Sequence, residues 1–210
     1  ALMAASDFFE IIVEGKGGHA ALPHFSNDTT LASSAIVLAL QQIVSRRVSA
    51  LQSVVLSVTG LSTDTMAHNV TPDTVRITGT TRFLDEQERQ KMPSSIQKTA
   101  ESTAVAYGCS AKVRYEFGVS VTDNYVENTE FAVAAAKEVV GAQNIKTDIE
   151  PIMAGEDFSE MLSRCPGAFI FLGNGPSASW HNPSYDFNNE ALPYGCSWFA
   201  NLAEQRLPLA

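Results

Sequence analysis

Residues 73–83, DTVRITGTTRF, decide how the first half of this chain is read. Val75, Ile77 and Gly79 alternate with Arg76 and Thr78, the two-residue period of a strand with one buried face. On the N-terminal side, LQSVVLSVT (51–59) alternates in the same way and predicts another strand. On the C-terminal side, Asp85–Tyr107 follows a helical pattern and Ala111–Phe117 predicts a further strand. Upstream, DFFEIIVE (7–14) is rich in β-formers and runs into Gly15, Gly17 and Gly18, as a strand ending in a glycine turn would. Asn27 and Asp28 offer an N-cap for an apolar-periodic helix from Thr29 to about Arg47, with Leu31, Ala35, Leu38 and Ile43 on one face. Two arginines near its C-terminal end suit the helix dipole. The order is βαββαβ, the split-βαβ arrangement of a ferredoxin-like sandwich.

Beyond Gly118 the pattern changes. Glu127–Val140 predicts a helix, Gly155–Leu162 a short one, Ala168–Leu172 a buried strand and Glu190–Arg206 a closing helix. These pieces are too few to enclose a core of their own. The run AFIFLG is apolar without alternation, so it expects cover on both faces, as a strand inside an α/β sheet has. The fold class is α/β in two parts, 7–118 and 119–210, the second expected to be a truncated domain because the partner strands of AFIFLG are missing from this chain. Because the chain opens at Ala1 and its nearest methionine is Met3, a cut inside a longer protein is expected.

Composition narrows the partners. With Asp+Glu 23 against Lys+Arg 14, the formal charge is -9, and no basic run offers itself to a phosphate backbone or an anionic bilayer. Nucleic acid and membrane are therefore poor partners, and a small molecule or another protein is favoured. No apolar run reaches the roughly 18–20 residues of a membrane span, and the first residues lack the pattern of a signal peptide. Cys109, Cys165 and Cys196 are an odd set without CxxC spacing, which argues against a disulfide framework and for a reducing, cytoplasmic setting.

Chemistry-bearing residues fall in loops. His19 lies in GKGGHAALPH, where glycines let backbone approach a ligand; it is either an exposed loop histidine or a group that steadies developing charge. His24 could share that task or cap the nearby helix, and the capping role is favoured. His68 and Asn69, in MAHNVTPD, sit at a strand-linking turn. Arg82 ends RITGTTRFLD; its fork suits a substrate carboxylate, and a surface pair with Asp85 is equally compatible. Glu156 and Asp157 open a short helix, where carboxylates cap the free N–H groups or line a pocket. His181 sits with Asp186 and asparagines in SWHNPSYDFNN, a turn-rich loop fit for a metal ligand. One histidine does not make a metal site, and the sequence has no HExxH.

Taken in order, GKGGHAALPH, AHNVTPD, GTTRFLD, MAGEDFS and WHNPSYDFNNE resemble the motifs of the N-acyl-amino-acid amidohydrolases, the group of aminoacylases, hippurate hydrolases and related metallocarboxypeptidases. The resemblance covers almost the whole chain. It implies an inserted ferredoxin-like lid that mediates homodimerisation, here residues 7–118, and the returning half of a catalytic domain that holds two divalent ions (Zn, Mn or Co). His19 then resembles the lid histidine that reaches the neighbouring subunit's active site and steadies the tetrahedral oxyanion. Asn69 and Arg82 resemble the lid's substrate-binding pair, with Arg82 on the substrate carboxylate and His24 behind them. Gly155 and Glu156 resemble part of the pocket wall, and His181 the C-terminal metal ligand. The family's earlier motifs, with its general base and other ligands, have no counterpart here, so the chain alone is expected to be inactive. A non-catalytic dimerising or carboxylate-binding homologue is the alternative. A ferredoxin-like amino-acid sensor would leave the His181 loop unexplained.

Overall fold

A computed structural model describes residues 1–207; positions 208–210 of the expected second part lie outside the described residues. In chain order the elements are β1 (Ala5–Glu14), β2 (Gly18–His19), α1 (Thr29–Gln42), β3 (Val54–Thr63), β4 (Val70–Thr71), β5 (Thr74–Phe83), α2 (Glu86–Ala106), β6 (Ser110–Val119), α3 (Val126–Val140), α4 (Phe158–Leu162) and α5 (Leu192–Arg206). The chain divides into two compact units, Ala1–Thr122 with Pro151–Ser159, and Asp123–Glu150 with Glu160–Ala210.

In the first unit a four-stranded sheet runs β3-β5-β1-β6, every neighbouring pair antiparallel. Alternation along β5 buries Val75, Ile77 and Phe83 and turns Arg76 outward, so one face of the sheet is apolar. That face meets Ile36 and Leu40 of α1 and Met92 and Ile96 of α2 in a single core with Phe9, Ile11 and Val13. Each fully buried aliphatic side chain contributes about 1.5–3 kcal/mol. Asp28 caps α1 by accepting from the Leu31 N–H (2.9 Å), and Asp85 caps α2 by accepting from Glu88 (3.0 Å).

The buried face of α1 differs from the one expected. Ala32, Ser33, Ile36, Leu40 and then Ile43 are buried, whereas Leu31 and Leu38 are exposed. The helix carries two aliphatic stripes offset by about one residue, and contact with the sheet selects the second. A π-helical turn, Ile43–Arg47, extends the helix toward the expected end.

At one end of the sheet the core becomes ionic. Asp7 is 0% exposed and Arg89 4%. Arg89 Nε donates to both Asp7 oxygens (3.0 and 3.2 Å), and Nη2 donates to Asp7 Oδ1 (2.7 Å) and to the Gly118 carbonyl (3.1 Å). Asp7 also accepts from the Tyr115 hydroxyl (2.9 Å) and the Gly118 N–H (3.0 Å). Burial pulls the Arg89 pKa down, but hydrogen bonds and charge from Asp7 and Glu86 outweigh it and raise it overall; burial also pushes the Tyr115 phenol up.

Residues 151–159, expected with the second part, pack with the first unit instead. The Ala4 N–H donates to the Ile152 and Ala154 carbonyls (3.1 and 3.0 Å), and Ile152 N–H donates to Leu2 (3.1 Å). In the second unit α3 and α5 pack around Ala132, Ala135 and Trp198, whose indole N–H donates to the Ala132 carbonyl (3.0 Å). The expected strand Ala168–Leu172 is not formed, and Ile170, Phe171 and Leu172 are exposed. A strand requires a neighbour to complete its hydrogen bonds, and none of the described strands pairs with this segment. Among the described residues, no helix is long and apolar enough to cross a membrane.

Replacing Arg89 with Met leaves Asp7 buried without its cation, so the unfolding free energy of the chain falls by about 3–5 kcal/mol. Urea unfolding followed by circular dichroism measures this, and a loss below about 1 kcal/mol would show that the pair contributes little.

Candidate functional site

Two candidate loops meet at one end of the sheet. Gly18 and His19 of β2 pair with Thr71 and Val70 of β4, and the Ala20 N–H donates to the Asn69 carbonyl (3.0 Å). Asp73 clasps the other side, accepting from the Gly17 N–H through Oδ1 (2.7 Å) and from the Gly15 N–H through its carbonyl (3.0 Å). Gly17 is required for this approach, because a Cβ there would lie 2.5 Å from the Thr71 carbonyl oxygen. Asp73 was not singled out from sequence, although it closes the same AHNVTPD motif as Asn69.

His19 is exposed, and its Nδ1 accepts from the Ala21 N–H (3.1 Å). In the neutral ring that hydrogen bond places the proton on Nε2, which is therefore a donor. The Asn69 side chain makes no hydrogen bond among the described residues, so its amide is available. His24 does not cap α1, since Asp28 holds that position; it lies in a 3₁₀ turn with its ring 4.1 Å from that of Phe25.

The structure does not bring Arg82 to this tip. Arg82 lies at the far end of β5, in register with Ser6. Eight residues separate it from Thr74, roughly 27 Å of extended chain. Asp85 is occupied in capping α2, and the Arg82 guanidinium instead donates to Thr80 Oγ1 and to the Thr81 carbonyl (3.0 Å), 6.0 Å from the centre of the Phe8 ring. Burial lowers its pKa, against the opposing charge of Asp7. Gly155 comes to the same end of the sheet: a Cβ there would stand 2.7 Å from Ser6 Cβ. Glu156 caps the turn that follows, with Oε1 accepting from the Phe158 N–H (3.3 Å) and its carbonyl from Ser159 Oγ (2.9 Å). Arg82, Gly155 and Glu156 thus belong to one end of the first unit, and His19, His24 and Asn69 to the other.

His181 lies in the second unit, exposed, at φ 60°; among the described residues it alone, glycines aside, adopts a positive φ. Its loop is held by Asn174, which donates to the Asp186 carbonyl (3.0 Å) and accepts from the Asn188 N–H (2.7 Å), and by Ser177, which accepts from the Asp186 N–H (3.1 Å). A side chain held in the left-handed region by its surroundings is a recurrent feature of ligand sites. Among the described residues no three His, Cys, Asp or Glu side chains converge on a point where a metal could sit.

Residues 8–205 match the family described as Peptidase family M20/M25/M40. The chain belongs to this family. It is 36% identical over 203 residues to the N-acetylcysteine deacetylase of Bacillus subtilis, covering 96% of the chain and 52% of that protein. It is likewise 36% identical over 203 residues to the hippurate hydrolase of Campylobacter jejuni, covering 97% of the chain and 53% of that protein. A solved Bacillus subtilis structure, described as a dinuclear metal binding peptidase from the M20 family, superposes with a TM-score of 0.72 at 28% identity, over 98% of this chain and 51% of that one. The M20 chain therefore spans about half the length of the curated relatives it matches.

Because His181 occupies a backbone region that suits glycine, His181→Gly keeps or raises stability, by about 1 kcal/mol at most, while His181→Ala retains the backbone cost. Parallel urea titrations of the two variants test this; destabilisation by His181→Gly would show that the imidazole itself holds the loop.

Proposed function

We propose that this chain forms the lid and the C-terminal part of a metal-dependent amidohydrolase that cleaves the amide bond of N-acyl-L-amino acids. In this reading the first unit, with its βαββαβ order, is a ferredoxin-like lid that also dimerises, and the second unit belongs to the catalytic domain of a cytoplasmic enzyme. The observation that carries it is the separation of His19 and Asn69 from Arg82 and Gly155 by the length of β5. A small substrate cannot span roughly 27 Å. In a two-fold dimer both sets are used, one end of the lid serving the chain's own active site and the other the neighbour's. Support for a homodimer comes from the unpaired edge of β3 beside the exposed Leu31 and Leu38 of α1. The relatives named hippurate hydrolase and N-acetylcysteine deacetylase support a substrate that joins an acyl group to an amino acid.

Each residue takes a role suited to its geometry. The Nε2–H of the exposed His19 donates to the oxyanion of the tetrahedral intermediate, and the Asn69 amide assists it. Arg82, partly desolvated beside Phe8, holds the carboxylate of the amino-acid moiety through its guanidinium fork. Gly155 and Glu156 border that end, and His24 supports the tip. His181 offers one imidazole to a divalent ion. The described residues do not assemble a two-metal donor set, so the remaining ligands and the general base are assigned to polypeptide outside residues 1–210. A bound pair of divalent ions (Zn, Mn or Co) would supply an activated water.

The test is complementation in the native, metal-loaded protein. His19→Ala and His181→Ala are each inactive toward N-acyl-amino acids. Mixing them by reversible dissociation restores about a quarter of wild-type activity, because half of the dimers are mixed and each carries one intact site. No restoration would mean that His19 does not serve the neighbouring subunit. Arg82→Ala raises KM for substrates with a free carboxylate, and an unchanged KM would remove its assigned role.

A further inference from the structure

The loop tip that carries His19 and Asn69 is more apolar than folding requires. Leu22, Phe25, Met66 and Val70 are 48%, 65%, 88% and 42% exposed, respectively. They are tied to the two polar residues by backbone: the Leu22 N–H donates to the His19 carbonyl (2.8 Å), the Phe25 N–H donates to Leu22 (3.1 Å), and Val70 is the register partner of His19. Met66 stands three residues before Asn69 on a loop closed by Asp64, whose N–H donates to the Thr74 carbonyl (3.2 Å) and whose Oδ2 accepts from the Thr74 N–H (3.1 Å). The clasp through Asp73 and the β2–β4 pair satisfies the tip's backbone, so these side chains are not needed to close a core. Single exposed apolar residues need no explanation, but a group of them around a proton donor and an amide marks a surface that meets an apolar ligand. At the far end of the sheet Arg82 is flanked by Ser6, Thr80 and the exposed ring of Phe8, so a cation stands beside apolar surface there.

We infer that Leu22, Phe25, Met66 and Val70 form the acyl-group platform of the enzyme and select aromatic or long aliphatic N-acyl groups over acetyl. This rests on the reading that the His19 tip enters the neighbouring active site. The reacting carbonyl joins the acyl group to the amide nitrogen, so a group that donates to its oxygen has the acyl chain as its nearest apolar neighbour. The amino-acid carboxylate lies beyond the nitrogen, toward Arg82. The tip of one subunit and the Arg82 end of its neighbour therefore suit the acyl and amino-acid halves of one N-acyl-amino acid.

The experiment compares N-benzoyl and N-acetyl derivatives of one amino acid, which keeps the Arg82 contact constant. In the native, metal-loaded dimer, Met66→Ala and the double variant Phe25→Ala/Met66→Ala lower the benzoyl-to-acetyl ratio of kcat/KM by roughly tenfold or more, with Phe25→Leu losing less. Met66→Ala alone leaves the tilted ring contact of His24 with Phe25 intact. An unchanged ratio, whether activity on both substrates falls together or sedimentation shows a weakened dimer, would overturn the inference and make the patch a subunit contact. His19→Ala is the control that separates the two proposals: if it leaves hydrolysis of both substrates intact, it is the placement of the tip in the active site that fails.

Discussion

The first unit depends on the ion pair between Asp7 and Arg89. Two charges without access to water are costly unless every polar atom finds a partner, and here the carboxylate gathers the guanidinium, the Tyr115 hydroxyl and the Gly118 N–H. These partners come from α2 and from β6, while Asp7 itself lies in β1 opposite Thr81 of β5. One buried pair therefore fixes the angle of a helix and the ends of three strands. Apolar packing alone is more tolerant, since a helix can slide on an oily face with little penalty, whereas a bidentate pair holds one register.

That constraint reaches the candidate site through the pleat of the sheet. Arg82 is the next residue after the partner of Asp7, so its side chain leaves the opposite face, where it lies near Phe8 and Thr80. The buried pair and the placement of Arg82 are consecutive consequences of one strand register. At the other end of the same strand the constraint is made of backbone. Asp73 and the β2–β4 bridge hold the glycine-rich His19 loop against the loop that carries Asn69. One end of the unit is held by buried charges, the other by paired backbone donors and acceptors.

Much of this architecture was legible in the sequence. Alternation indicated β3 and β5, β-former content indicated β1, Ala111–Phe117 was read as the strand that is β6, and the two long helices were read as starting within a residue of Thr29 and Glu86. The motifs containing His19 and Asn69 are brought side by side. Local patterns failed where two answers had equal periodicity, as with the two aliphatic stripes of α1. They failed again at Ala168–Leu172, where composition favours a strand but a ladder needs a neighbour that local sequence does not supply. The role of Asp73 was hidden for a similar reason, because its partners lie 56 and 58 positions away in the chain.

By itself, the sequence determined the kinds of element, their order, the acidic surface and the residues capable of chemistry, since these follow from side-chain type and short-range periodicity. Only the tertiary structure decided which of those residues meet. It placed His19 with Asn69, set Arg82 with Gly155 at the opposite end of the sheet, moved residues 151–159 to the first unit and bent His181 into a left-handed turn. The physical reason is that strand register and buried charge act between residues distant in the chain, and a one-residue slip in register would turn every side chain of the strand to the other face.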